Sequence, residues 1–233
     1  MKSRIAGLGL LLTCLAGCSS QSPALSTVPS GLKDIESVAE DAYDKALAGD
    51  HAAVSADADS IDTAWNTFKT QAMTDGATAG LVASVDAAVS ALKTVVTSTA
   101  GDLALARSAN GVSAPMSGLF ALYEDPVPPA VLELDYLGRE VVLDARELRF
   151  GDASTQVDAI EAGFGTVRDG LVAAGGAAEA DDFSILVTKL RADVAAQDGA
   201  LLETDAVQAL DLVDTIETVF TDSAQANGGE TPD

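Results

Sequence analysis

Asp135, Tyr136, Arg139 and Glu140 put two carboxyls, a phenol and a guanidinium within two helical turns of one another. Residue types of this kind bind polar or charged ligands by hydrogen bonds and ion pairs. Asn110 and Ser113, on the stretch before Pro115, supply further donors and acceptors that the same pocket can use. The competing reading is structural. Arg139, Arg146 and Arg149 stand beside Glu133, Asp135, Glu140, Asp144 and Glu147, and an ion-pair network among them would fix helix register. The Asp135 to Arg139 spacing suits pairing along one helix face.

Other chemistry finds little footing. His51 is the single histidine, so a two-histidine zinc site and a paired Glu-x-x-His di-iron site are both excluded. It stands where a helix is expected to start and reads as a surface residue of a capping region. There is no Cys-x-x-Cys-His for covalent haem, and Met73 and Met116 read as core filler rather than axial ligands to pair with His51. No nucleophile elbow is present. Gly163-Phe164-Gly165 lies inside a helical pattern and is not a phosphate loop, while Asp57-Ala58-Asp59 lacks the glycine and closing glutamate of a calcium loop. Asp211, Asp214 and Glu217 share a helix face and could collect a hard cation, though a solvated face explains them as well. No cofactor, no metal and no catalysis are expected.

Residue 18 carries a different chemistry. Lys2 and Arg4 precede the apolar run Ile5 to Leu12, and Leu15-Ala16-Gly17-Cys18 follows. Small residues at 16 and 17 let the chain enter a peptidase site extended, and Cys18 offers a thiol for alkylation with diacylglycerol. The four residues resemble the lipobox of bacterial lipoproteins. That resemblance implies removal of residues 1–17, three acyl chains on Cys18 and a lipid anchor. At roughly 0.8 kcal/mol per buried methylene, such an anchor is permanent. Ser19, where an Asp commonly signals inner-membrane retention, implies by the same resemblance an outer-membrane protein facing the periplasm. Ser19 to Gly31 reads SSQSPALSTVPSG and is expected to be a flexible tether, so residues 18–31 form the anchor and spacer. Cys14 leaves with the leader and Cys18 is consumed, which leaves no thiol for a disulfide.

The charge of the whole chain is −23. Loss of Lys2 and Arg4 from the 13 basic residues leaves 11 against 36 acids, or −25. Such a surface repels nucleic acid and anionic lipid, so neither is an expected partner. It suits cation collection, a partner with a basic face, or a saline exterior that screens self-repulsion. Apolar residues make up 48% of the chain but aromatics only 4%, and abundant alanine favours closely packed helices over a sandwich.

The elements that must position these groups are helices. Val54, Ala58, Ile61, Trp65, Phe68 and Ala72 recur at spacings of three and four, as do Val82, Val85, Val89, Leu92 and Val96. Val157 to Ala174, Phe183 to Val194 and Leu202 to Phe220 repeat the pattern. Gly49-Asp50, Asp75-Gly76, Gly175-Gly176 and Asp198-Gly199 mark the breaks. Asp50 is placed to cap one helix, and Asp181 or Asp182 is expected in the first turn of another. Pro126, Pro128 and Pro129 stop one helix and start the next, which reads AVLELDYLGREVVLDAREL and is apolar on more than one face. That helix belongs centrally, with Leu134, Leu137, Val141 and Leu148 on one stripe and Gly138 at a close approach. The expected fold is all-α, an antiparallel helical bundle of about seven or eight helices over residues 32–226, followed by a frayed tail, 227–233. The stretches 80–123 and 186–223 share a faint Leu and Val pattern, open to reading as a duplicated hairpin.

The run Leu134 to Glu140, Leu-Asp-Tyr-Leu-Gly-Arg-Glu, resembles one found in uncharacterised proteobacterial helical-bundle lipoproteins, a resemblance that brings no activity with it. The expected role is a non-catalytic, lipid-anchored module that binds an envelope protein partner or organises the envelope. The alternative is a periplasmic binding module for a metal cation or small polar ligand.

Overall fold

The structure is a computed structural model that describes residues 26–228. The expected leader, the lipobox-like run ending at Cys18, the expected spacer up to residue 25 and the final residues 229–233 lie outside the described residues. Within them the chain is all-α, with eight long helices and one short one: α1 Ser30–Leu47, α2 His51–Asp75, α3 Ala79–Val95, α4 Asp102–Ser113, α5 Met116–Phe120, α6 Pro129–Arg146, α7 Phe150–Ala173, α8 Ala177–Ala196 and α9 Gly199–Gly228. The one pairing of extended backbone among the described residues is a single bridge between Thr27 and Glu124.

These helices close into two four-helix rings. In the first, α1 packs on α2 and α4, and α3 completes the ring; in the second, α6 packs on α7 and α9, and α8 completes it. Each ring has its own apolar core, built around Trp65, Leu32 and Leu92 in one and Phe183, Ile160 and Leu171 in the other. The expected bundle is therefore present as two bundles in tandem, joined where α4 and α5 meet α6. Leu143 of α6 belongs to the first core although its helix builds the second. The two stretches with a shared Leu and Val pattern cover α3–α5 and most of α8–α9, so they occupy equivalent places in the two rings.

Local chemistry accounts for the element ends. Asp50 accepts from the Ala53 amide at 3.1 Å and caps α2, while Gly76 ends it in the left-handed region at φ 114°. Thr78 caps α3 by accepting from Leu81, and Asp198 accepts from the Leu201 amide at the start of α9. Pro129 opens α6, where its missing amide costs nothing. The Val54 to Ala72 stripe is buried throughout, and its indole is satisfied by Asp86 at 2.7 Å. Lys69, then Trp65, hold the Asp86 carboxyl below its ordinary range.

Four local expectations need correction. Met73, read as core filler, is 50% exposed near the end of α2. Residues 26–31 are not free spacer: Ser26 accepts from the Glu124 amide at 2.9 Å, Val28 is buried, and α1 already starts at Ser30. Their apolar and backbone groups find partners beside the end of α5. The helix α6 stops at Arg146, and Leu148 lies outside it at φ 57° and 64% exposed. It takes a left-handed turn there because the Arg149 amide bonds back to the Asp144 carbonyl. Asp181 and Asp182 fall in the second turn of α8, whose first turn carries Glu179.

Candidate functional site

The expected pocket residues divide between two faces of α6. On the face toward α4, Arg107 reaches Glu140, Asp144 Oδ1 at 2.8 Å and Glu147 Oε2 at 2.8 Å. This ion-pair cluster clamps the two bundles together. Arg107 lies outside the charge-rich segment from Asp125 to Phe150, which is why the segment alone did not reveal it. Burial is the largest influence on both Glu140 and Asp144 and pushes their carboxyls up, against the opposing pull of Arg107.

Asn110 links the two faces. Its amide donates to the Tyr136 carbonyl at 3.1 Å and to Glu140 Oε1 at 2.8 Å, and its own oxygen accepts from Arg139 Nη1 at 3.4 Å. Every polar function of this fully buried side chain is used, so Asn110 serves as a structural strut. Tyr136 contributes its carbonyl there, and its ring packs against the second core.

On the other face lies a cleft of about 390 Å³. Asp135, Arg139, Val142 and Arg146 of α6 form its floor, α1 one wall and α9 the other. Arg139 is buried in this floor and already committed. Its Nη2 donates to Glu40 Oε1 at 2.7 Å and to Asp135, and its guanidinium lies 5.8 Å from the centre of the Tyr43 ring. Arg146 is engaged by Glu203 at 2.9 Å. Asp44, Asp211, Asp214 and Glu217 line the same space with no basic group within 4 Å among the described residues. The face of α9 that carries Asp211, Asp214 and Glu217 is thus a cleft wall. No group of three acids or other ligating side chains is arranged to hold a metal ion among the described residues.

Glu40 and Glu217 also line a second, more open hollow of about 230 Å³, the inner lobe of the site, bounded by Phe120 and Leu132. Here Glu36 is only 5% exposed, and its Oε2 has no hydrogen-bond partner. Burial raises the Glu36 carboxyl to about 7, helped by Glu40 and opposed by Ser113 and Arg139. Burial also lifts Glu217 to about 7, with Glu40 and Asp214 adding to it. Ser113 faces Glu36 from α4, yet its Oγ, too, is left without a bond in good geometry. Desolvation likewise raises Glu40 and Asp214.

Of the six expected pocket residues, Asp135 and Arg139 line the cleft and Ser113 stands beside its inner lobe. Asn110, Tyr136 and Glu140 belong to the seam behind it. Glu36, Glu40 and Glu217 were not foreseen as partners of this site. One signal was present: Glu36 falls four residues after Leu32 and three before Ala39, an acid on an otherwise apolar stripe. His51 lies apart from the cleft, bonded to Asp102 at 2.6 Å on an exposed surface. In comparisons with known proteins, no family model, no curated protein and no solved structure matches this chain.

Proposed function

We propose that this chain is a non-catalytic envelope lipoprotein, anchored through Cys18 to the outer membrane, whose two-bundle body binds a small cationic ligand in the cleft between α1, α6 and α9. The observation that carries the reading is Glu36, a carboxyl on the wall of a hollow shared with Glu40 and Glu217, whose Oε2 is buried and has no hydrogen-bond partner. A buried polar atom with no partner is costly, and a ligand donor would satisfy it. At about 390 Å³, the outer part alone falls within the range of small-molecule sites. Calorimetric titration with cationic and neutral metabolites tests the site. Binding lost in Glu36→Gln supports it, and binding unaffected by any cleft variant overturns it. Labelled palmitate incorporated by the wild type and lost in Cys18→Ala tests the anchor.

A second reading, an envelope protein partner, has support elsewhere on the surface. Ile185 is 56% exposed and borders a shallow groove between α8 and α9 that Leu186 and Leu212 also line. Large apolar side chains gathered on one face suit a protein contact. Cross-linking from Ile185 in intact cells that captures one specific envelope protein would favour this reading, and capture of none would remove it.

A further inference from the structure

The two lobes of the cleft restrict the ligand further. Each has unpaired acids and an apolar lining: Asp211 and Asp214 with Leu47 and Val207 in the outer lobe, Glu36 and Glu217 with Phe120 and Leu132 in the inner one. An anion is disfavoured, because the buried Arg139 already spends its guanidinium on Asn110, Glu40 and Asp135. A single metal ion is disfavoured as well, since the acids are strung along the groove and no three of them converge among the described residues. A compact monocation would satisfy one lobe and leave the other unanswered. The remaining chemistry alternates charge with methylene.

Given that the cleft is a ligand site, we infer that it takes a flexible oligoamine, with one alkylammonium group against Glu36 and Glu217 and a second against Asp211 and Asp214. The methylene spacer passes Glu40 and Glu217, which the two lobes share, and rests on the apolar side chains that line each lobe. Glu36 Oε2 is buried in the free protein, so its carboxyl turns toward the lobe to accept from the inner ammonium and gains the partner it lacks. Glu36 is faced by Glu40 from its own helix, Ser113 from α4, Arg139 from α6 and Glu217 from α9; Glu217 is faced by Glu40, Asp214, Arg139 and Asp125. Lys33 at the mouth of the inner lobe is paired with Asp125 at 3.3 Å. Burial, then the neighbouring acids, raises both carboxyls to about 7, so each is about half protonated at pH 7 until a cation arrives. Oligoamine binding therefore releases protons to the buffer.

The test is calorimetry on the full-length chain in detergent at pH 7 and about 150 mM salt, an ionic strength that screens loose surface binding. Spermidine, propylamine and calcium chloride are titrated in phosphate and in Tris. Spermidine is expected to bind at least tenfold more tightly than propylamine, with heats that differ between buffers as protons are released. Glu36→Gln and Asp214→Asn should each weaken it tenfold or more, while Asp169→Asn, on the exposed face of α7, leaves it unchanged. Asp214 is exposed, so its variant remains informative if the buried substitution disturbs folding. Propylamine or calcium binding as well as spermidine, with the loss in Glu36→Gln retained, overturns the oligoamine and leaves the cleft as a site. Spermidine binding that Asp169→Asn weakens as much as the cleft variants do is surface attraction and overturns the inference. Failure of every probe to respond to the cleft variants overturns the site itself.

Discussion

Arg139 Nη2 lies 2.7 Å from Glu40 Oε1, joining residues 99 positions apart across the seam between the two bundles. The same guanidinium bonds Asp135 and Asn110, so one buried cation holds two carboxylates and an amide in place. Removing one partner from a buried charge cluster costs far more than the cluster itself contributes.

Arg139→Met should accordingly destabilise the fold by about 3–5 kcal/mol at pH 8. The loss should be smaller at pH 5, where Glu36 is protonated and Glu40, itself raised by burial, is closer to neutral. Urea unfolding at the two pH values measures the difference. An equal loss at both would assign the effect to packing against Tyr43 instead of charge.

The pH dependence of the wild type has a defined sign. Glu36 titrates at about 7 in the folded chain against an ordinary 4.5, so between those values the folded state holds a proton that the unfolded state has released. Stability is therefore fully present below about pH 4.5 and is lost as pH rises through 7. Glu217 acts in the same direction. For Glu36 the loss is on the order of 3 kcal/mol. Glu36→Gln should flatten the melting temperature over this window, and a slope unchanged from wild type would show that general charge repulsion governs it.

A methyl group added at Gly138 would fall 2.6 Å from Leu210 Cδ2 on α9. Leu210 also lines the outer lobe, so Gly138→Ala should both cost about 1–3 kcal/mol and displace a cleft wall. Leu210→Ala in the same chain should recover part of that loss. A double-mutant cycle with no coupling between the two positions would contradict the close approach.

Leu148 occupies the left-handed region at φ 57° while leaving 64% of its surface in solvent. Leu148→Gly removes the backbone penalty and sacrifices little burial, and thermal unfolding should show a gain of about 0.5–1 kcal/mol. A loss would mean that its contact over Gly199 matters more than the backbone.

Helix positions were legible in the sequence because each apolar stripe is a local pattern. Val54 to Ala72 and Leu202 to Phe220 are buried at every expected position. Which stripe faces which is a long-range property, and the same periodicity serves one bundle or two, so the division into two cores was not legible. The site was half legible for a related reason. Asp135 and Arg139 announce each other by their spacing on one helix, whereas Glu40 and Glu217 reach Arg139 only through the packing of α1 and α9 around α6. Leu148 misled because its apolar character continues the stripe past the turn where the helix has already ended.

With Leu143 seated in the first core, Leu132 packed against it and residues such as Leu134, Leu137 and Val141 in the second, α6 is a beam common to both halves of the molecule. Swinging those halves apart about the Asp125–Pro129 connection would uncover Leu143 and strip Arg107 from Asp144. The trough above the beam consequently keeps a set width, unlike a jaw that shuts on its cargo. A ligand of the proposed kind would enter and leave along the groove, selected by shape and charge already in place.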